Sequence, residues 1–220
     1  MKHFALTAGA AAILLFSCNN DAEKKAEPAN ADSVKPVEQI STKETETHPV
    51  MDSAAMAKAW QDFATPGEMH KWMEKTNGTW EGEVSQWMAP DAPPSKSKAM
   101  IVQNSLLGGR YVQGKYSGNM MGQPFEGISI LGFDNAKKIY TSTWIDNMGT
   151  GIVHMSGSFD ETTGTLNLKG HQTDPMTGKD SDIREEMKII NDISYSMSMF
   201  GSGMDGKEMK FMEAVFNKKK

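Results

Sequence analysis

Cysteine is nearly absent, since Cys18 is the only one among the 220 residues. A single cysteine excludes an intramolecular disulfide, so no covalent cross-link can substitute for a hydrophobic core. A chain of this length can form one domain with a core of its own. The sequence therefore predicts a domain that is held together by packing.

Several motifs with known chemistry are also absent. The sequence has no GxSxG nucleophile elbow, no GxxxxGK[ST] phosphate loop, no HExxH zinc motif and no GxGxxG between a strand and a helix. No cofactor and no metal site are predicted. His154 and His171 lie in predicted strands, with Asp146 and Asp174 near turns, so a hydrolase or isomerase that uses His154 stays an alternative.

Basic charge is scarce as well. The 28 acidic residues outnumber the 23 lysines and arginines, which gives a formal net charge of −5. Nucleic-acid binding depends on a basic surface, so this balance argues against a nucleic-acid partner.

No apolar run is long enough to span a bilayer as a mature helix. A basic start precedes the apolar residues 4–16, which is the layout of a secretory signal. Leu15, Ser17 and Cys18 then resemble the lipobox of bacterial lipoproteins, in which the cysteine is acylated and becomes the first mature residue. The resemblance implies a signal peptide over 1–17, lipidation of Cys18 and a lipid anchor in the bacterial cell envelope, with the outer membrane favoured. An ordinary signal peptide with an incidental cysteine is the alternative.

Residues 18–50 contain no aromatic side chain and alternate lysine with acidic residues. Such a composition buries too little apolar surface to offset the entropy lost on ordering the chain. These residues are therefore predicted to be a disordered tether, and residues 51–220 are predicted to form the folded domain.

Two short helices are predicted at the start of this domain. Asp52 is placed to cap a helix whose apolar residues have helical spacing. A second helix is predicted with Thr65 at the N-cap, Pro66 at the first helical position and Glu68 at the third, an arrangement typical of a capping box. The apolar stripe of the first helix consists of Met56, Trp60 and Phe63.

From Thr79 onward, apolar and polar residues alternate between turn sequences. About ten strands are predicted, and their short connections favour antiparallel neighbours. A twisted sheet of this size tends to curl, and closure removes its exposed edges. The predicted fold is therefore an all-β, up-and-down antiparallel barrel. The predicted strands span residues 79–87, 98–107, 110–117, 124–133, 138–146, 151–159, 164–171, 181–190, 193–200 and 209–217.

One predicted hairpin, residues 140–160, carries polar side chains among β-formers. Its turn has ordinary hairpin residue types, with Gly149 free to take a positive φ. Alternate side chains of its first strand share one face, which is either the outside of the barrel or the wall of a cavity that contains water. The residues on this face are Tyr140, Ser142, Trp144 and Asp146.

Six segments of the chain carry a family resemblance. In order along residues 66–217 they read GTWEGEVSQW, LLGGRYVQGKYSG, MGQPFEGISILGFDN, TWIDNMGTGI, DPMTGKDSDIRE and GKEMKFMEAVF. Together they resemble the bacterial domain-of-unknown-function 1579 family. The resemblance implies a lipocalin-like (calycin) barrel and brings no established activity.

The pair Gly78 and Trp80 also resembles the opening motif of lipocalins, in which the tryptophan seals one end of the barrel. In the 1579 family the last strand usually closes with an arginine, whereas this chain ends in VFNKKK. This departure argues against a seal in which an arginine of the last strand covers Trp80.

Arginine is rare, because Arg110 and Arg184 are the only two among the 23 basic residues. Lysine would serve for solubility, so arginine at these places indicates a need for its planar, bidentate guanidinium. The favoured interpretation is an ion pair or cation–π contact inside the barrel, for instance with Glu213, Asp146 or a tryptophan. The alternative is that the arginines hold the acidic head of an amphipathic ligand.

Methionine is abundant, with 18 in the chain. Thioethers bind copper(I), and Met197 and Met199 share a strand face. The favoured interpretation is that methionine fills the core or lines a cavity for varied apolar ligands.

The predicted function is the binding or carriage of a small apolar or amphipathic ligand, because barrel mouths commonly hold one. The second hypothesis is a filled barrel whose outer surface binds an envelope protein, and the presence of a cavity separates the two. The arginines would hold a polar head, and the aromatic residues would form the wall. The candidate ligand-binding residues are Trp80, Arg110, Tyr140, Trp144, His154 and Arg184.

Overall fold

The structure is a computed structural model that describes residues 52–120, 122–203 and 205–220. The predicted signal peptide, Cys18 and the predicted tether lie outside the described residues. Within the described ranges, no helix is both long enough and apolar enough to cross a membrane.

Two helices and ten strands make up the described part of the chain. Each of the ten predicted strands is confirmed, with its ends within three residues of the predicted ends. The elements are α1 (Ser53–Ala64), α2 (Glu68–Glu74), β1 (Gly78–Gln86), β2 (Ser95–Leu106), β3 (Tyr111–Met120), β4 (Gln123–Asp134), β5 (Ile139–Asp146), β6 (Val153–Asp160), β7 (Thr165–Thr173), β8 (Asp180–Asn191), β9 (Ser194–Ser202) and β10 (Glu208–Lys218).

The ten strands form one closed antiparallel barrel. Each strand pairs with its neighbours in sequence, and β1 pairs with β10 to close the ring. The closing pair sets Trp80 opposite Lys218 and Val84 opposite Ala214. Closure leaves none of these strands with an unpaired edge. The prediction of an up-and-down barrel is confirmed.

Alternation along the strands sends one set of side chains inward. In β8, Ile183 and Met187 are buried, whereas Asp182 and Lys188 are exposed. The same alternation holds in β7, where Leu166 and Leu168 are buried and Lys169 is exposed. The pleat of each strand therefore decides which residues can reach the interior.

The helices begin and end through specific caps. The Asp52 carboxylate accepts a hydrogen bond from the Ala55 backbone N–H at 2.7 Å, which confirms the predicted cap of α1. The prediction of Thr65 as the N-cap of α2 is wrong, because its hydroxyl donates to the Gln61 carbonyl at 2.7 Å and ends α1. Gly67 is the N-cap of α2.

Helix α2 and a group of aromatic residues close one end of the barrel. The Trp72 ring lies 5.7 Å from the Tyr140 ring and 4.9 Å from the Phe159 ring, measured between centroids. Met73 on the same helix is fully buried. Buried apolar surface of this kind supplies the main favourable term in folding, so the packing at this end stabilises the barrel.

Trp80 is central to the closed end. It is 2% exposed, and its indole N–H donates to the Thr76 carbonyl at 2.7 Å. Its ring packs edge-on against Tyr195 with centroids 4.8 Å apart. The Lys218 ammonium lies 5.1 Å from the indole centroid, so a lysine of the last strand takes the place that the family resemblance gives to an arginine.

Candidate functional site

The barrel encloses a cavity of about 340 Å³. Gln86, Ser97, Met120, Met148 and Gln172 line it near the strand ends that are opposite to α2. The cavity therefore opens at the end that carries the β1–β2, β3–β4, β5–β6 and β7–β8 connections. Space for it comes from small inward residues in the middle of the wall, namely Gly114, Ser129 and Ser142.

Methionine side chains supply much of the cavity wall. The thioether is polarizable and its chain has several rotatable bonds, so methionine adapts to ligands of different shapes. Met197 and Met199 do share an inward face of β9, and both border the cavity. This placement agrees with the cavity-lining interpretation of the methionines. The methionines of the wall are Met120, Met148, Met155, Met187, Met197, Met199 and Met212.

Trp144 is a fixed part of the wall near the open end. Its indole N–H donates to the Asp146 carboxylate at 2.7 Å, and its ring meets the Tyr116 ring edge-on with centroids 4.9 Å apart. A side chain at Gly127 would approach the indole to 2.3 Å, so the glycine makes room for the ring. The face that β5 presents with Trp144 and Ser142 is thus the wall of the cavity.

The turn after β5 is held by two side chains. The Asp146 carboxylate accepts hydrogen bonds from the backbone N–H groups of Met148 and Gly149 at 2.9 and 3.1 Å. Asn147 donates to the Pro124 carbonyl at 3.0 Å. Gly149 does not take a positive φ. The turn is held by the hydrogen bonds to the Asp146 carboxylate.

A small polar group lies among the apolar walls. Gln103 is 5% exposed, and its amide N–H donates to the Tyr195 hydroxyl at 3.4 Å. The amide oxygen of Gln103 is buried and has no hydrogen-bond partner among the described residues. Burial raises the pKa of Tyr116 to about 12, and the nearby Glu185 adds to this effect.

Glu185 is a carboxyl group on the inner wall of the barrel, away from the rim where Asp146 lies. It lies on the inward face of β8 between Ile183 and Met187, and its neighbours across the sheet are Leu168 and Met199. Burial raises its pKa from 4.5 to about 7, because an apolar environment disfavours the charged form. The carboxyl borders the cavity, and no hydrogen bond or ion pair to it occurs within the described ranges.

The sequence prediction missed Glu185, although the chain carried a signal for it. Ile183 and Met187 alternate with Glu185 in a predicted strand, so a carboxylate stands at an apolar, inward position. Gln103 is another polar residue at an inward position, two residues after the buried Ile101 of β2.

Two of the predicted ligand-binding residues lie at the closed end. Trp80 and Tyr140 are 2% and 1% exposed, and neither borders the cavity. The Tyr140 hydroxyl donates to the Met69 sulfur at 3.3 Å. These two residues support the floor beneath the cavity, whereas Trp144 forms part of its wall.

Arg184 lies on the outer face of the barrel. Its guanidinium donates to both carboxylate oxygens of Glu208 at 3.0 Å and also pairs with Glu186. The guanidinium carbon lies 3.8 Å from the Phe200 ring centroid. Arg184 thus makes both an ion pair and a cation–π contact, with partners other than the predicted ones. The predicted place inside the barrel is wrong, because Ile183 and Glu185 occupy the inward positions of β8.

Arg110 is also outside the cavity, in the connection between β2 and β3. Its side chain is exposed and donates to the Ala64 carbonyl at 2.7 Å and to the Leu107 carbonyl at 3.0 Å. Asn135 donates to the neighbouring Thr65 carbonyl at 2.8 Å. The two side chains thus bind the free carbonyls at the end of α1.

His154 is exposed on the outer face of β6 and lies opposite His171 in the sheet. His171 pairs with Asp182 at 2.9 Å, whereas Asp146 faces inward toward Trp144. The structure therefore does not bring His154 and Asp146 together as an acid–base pair. The described residues contain no cluster of three or more histidine, cysteine or acidic side chains that could hold a metal ion.

A family model described as "Protein of unknown function (DUF1579)" matches residues 65–218. The chain belongs to this family. The resemblance seen in the six sequence segments is thereby confirmed for the DUF1579 protein. No curated protein sequence matches the chain.

A solved structure shares the barrel fold of this DUF1579 protein. The crystal structure of Rv2717c from M. tuberculosis superposes with a TM-score of 0.55 at 13% identity, covering 71% of this chain and 100% of that chain. The S-type phycobiliprotein lyase CPES from Guillardia theta superposes with a TM-score of 0.49 at 10% identity, covering 72% of this chain and 96% of that chain. At such identities, the likeness to Rv2717c shows the fold alone.

Proposed function

We propose that this protein binds a small apolar or amphipathic molecule inside its barrel. The observation that carries the proposal is the open cavity of about 340 Å³ with its methionine and aromatic wall. Pockets for small molecules usually measure about 300–1,000 Å³ and combine apolar walls with a few polar groups. A filled barrel, the competing hypothesis, would leave no such space.

The wall chemistry supports a compact, mainly apolar ligand. Flexible methionines can close around different shapes, and the fixed Trp144 ring offers a flat surface for stacking or for an alkyl chain. Glu185, Tyr116 and Gln103 supply polar groups in the interior, beside the serines of the wall. Transfer of apolar ligand surface from water into this space would supply the binding free energy.

Filling the cavity is expected to weaken binding strongly. Ser129 lines the middle of the wall, so Ser129→Phe places a ring in the space that a ligand would occupy. Titration calorimetry with n-octanol, on the chain from residue 19 to residue 220, is expected to show saturable binding by the parent and at least about tenfold weaker binding by the variant.

The matched control is Ser156→Phe, which adds the same ring at an exposed position of β6. It is expected to bind n-octanol as the parent does. Met199→Trp fills the cavity from the opposite side and tests the same point if Ser129→Phe folds poorly. Parent-like binding of n-octanol by both folded cavity variants would refute a site inside the barrel.

We also propose that Cys18 carries a lipid and anchors the barrel in the bacterial cell envelope, at the outer membrane. Support comes from the apolar residues 4–16 and from the lipobox-like Leu15, Ser17 and Cys18. Two or more acyl chains would hold the protein firmly at a membrane. Incorporation of labelled palmitate into the parent, and its loss in Cys18→Ser, tests this assignment.

A further inference from the structure

The charges around the cavity are unevenly distributed. Glu185 and Asp146 both line it, and the basic lining residue Lys98 is exposed, at an outward position of β2 beside the mouth. The Asp146 carboxylate is already engaged by the Trp144 indole N–H and by two backbone N–H groups. Glu185 is therefore the acidic group that remains available to a ligand in the interior.

Among the described residues, the surroundings of Glu185 offer acceptors and no cation. Tyr116 on β3 and Tyr195 on β9 face it, and Gln103 on β2 contacts the Tyr195 hydroxyl. Burial raises the pKa of Tyr116 to about 12, so this hydroxyl stays neutral in the physiological range. The unpaired amide oxygen of Gln103 is a further acceptor, and an ammonium group has three N–H donors to distribute.

We propose that the cavity selects amphipathic molecules with a cationic amine head, which the Glu185 carboxylate binds while the methionine wall encloses the apolar part. This inference rests on the proposed function and names the class of its ligand. A half-buried carboxylate among apolar walls is destabilised when it has no partner, and an opposite charge at hydrogen-bond distance offsets that cost. A ligand with a carboxylate head would add a second negative charge in the same apolar space.

Selectivity of this kind depends on pH. The pKa of Glu185 is about 7, so the carboxylate forms as the pH rises through neutrality. The groups that face it from β3 and β9 are the tyrosines, which stay neutral over this range, and Asp146 lies at the rim on β5. Binding of an alkylamine is therefore expected to strengthen between mildly acidic and mildly alkaline pH.

The test uses three probes with one alkyl chain, namely n-octylamine, n-octanol and n-octanoate. Titration calorimetry on the chain from residue 19 to residue 220 is expected to give at least about tenfold tighter binding of n-octylamine than of n-octanoate at about pH 9. At about pH 5, where Glu185 is protonated, the preference for the amine over n-octanol is expected to disappear.

Glu185→Gln keeps the shape of the side chain and removes its charge. This variant is expected to lose the preference for n-octylamine and to keep its binding of n-octanol. The control Glu186→Gln changes the next residue, which points outward toward Arg184, and is expected to keep the preference. A preference for the amine that survives in Glu185→Gln, or tightest binding of n-octanoate by the parent, would overturn the inference.

The outcomes also separate this inference from the proposed function. Binding of n-octanol without any preference for n-octylamine at about pH 9 leaves the cavity as a ligand site and removes the amine assignment. Absence of binding for all three probes contradicts both.

Discussion

Replacement of Trp80 by alanine is expected to lower the free energy of unfolding by about 3–5 kcal/mol. The side chain is 2% exposed and packs against Tyr195 at the closed end. Its loss leaves a void and also removes the donor to the Thr76 carbonyl, which adds the cost of an unsatisfied buried acceptor. Urea denaturation followed by far-ultraviolet circular dichroism measures the change.

Trp60→Ala is the matched control for this prediction. Trp60 lies on α1 and is 65% exposed, so its removal is expected to change the free energy of unfolding by less than about 0.5 kcal/mol. A loss of less than about 1 kcal/mol for Trp80→Ala would show that the closed end does not depend on the tryptophan.

Glu185→Gln is expected to stabilise the protein at alkaline pH and to leave its stability unchanged at acidic pH. The pKa of Glu185 rises from 4.5 to about 7 on folding. Each pKa unit corresponds to about 1.4 kcal/mol, so the charged form costs the native state roughly 3 kcal/mol. The glutamine variant avoids this cost.

The direction of the pH dependence follows from the two pKa values. Below pH 4.5 the carboxyl is protonated in both the folded and the unfolded chain, so it has no effect. As the pH rises from 4.5 to about 7, the unfolded chain loses the proton first and the folded parent becomes less stable. Above about pH 7 the difference is constant.

Urea denaturation of the parent and the variant at a series of pH values measures this difference. Glu186→Gln is the control, because its side chain points outward and contacts Arg184. The free-energy difference between Glu185→Gln and the parent is expected to grow with pH, whereas the difference for Glu186→Gln stays within about 1 kcal/mol. A difference for Glu185→Gln that is flat across the range would contradict the raised pKa of this carboxyl.

The strands were predictable because their signals are local. Alternating side chains and turn sequences mark each strand, and short connections between antiparallel strands lead to a meander. The seal by Trp80 was implied by the resemblance of Gly78 and Trp80 to the opening motif of lipocalins. The start of helix α2 shows the limit of local rules. Thr65 has a residue type that suits an N-cap of α2, but in the structure it is the C-cap of α1.

The cavity residues were harder to predict, because they depend on which face of each strand points inward. Arg184 was predicted as a ligand-binding residue because arginine is rare in this chain. It points outward, since its neighbours Ile183 and Glu185 occupy the inward positions of β8. His154 lies outside for the same reason, since Met155 takes the buried position. Strict use of the two-residue period would have selected Glu185 over Arg184.

The existence of the cavity could not be read from any single segment. It depends on the summed volume of inward side chains from all ten strands. Gly114, Ser129 and Ser142 leave space in the middle of the barrel, whereas the large side chains of Trp80 and Tyr140 fill the closed end. Such a sum requires the register of every pair of strands, which the sequence pattern alone does not give.

Native mass spectrometry tests the central claim, a ligand inside the barrel, most directly. The chain from residue 19 to residue 220, which lacks Cys18, is exported to the periplasm of a bacterial host, purified without detergent and weighed before and after denaturation, together with the Ser129→Phe variant of the same chain. A barrel that carries a ligand is expected to give an excess mass in the parent that denaturation releases and that the filled variant lacks. Equal masses for native and denatured parent, with no binding of n-octanol, would contradict the claim.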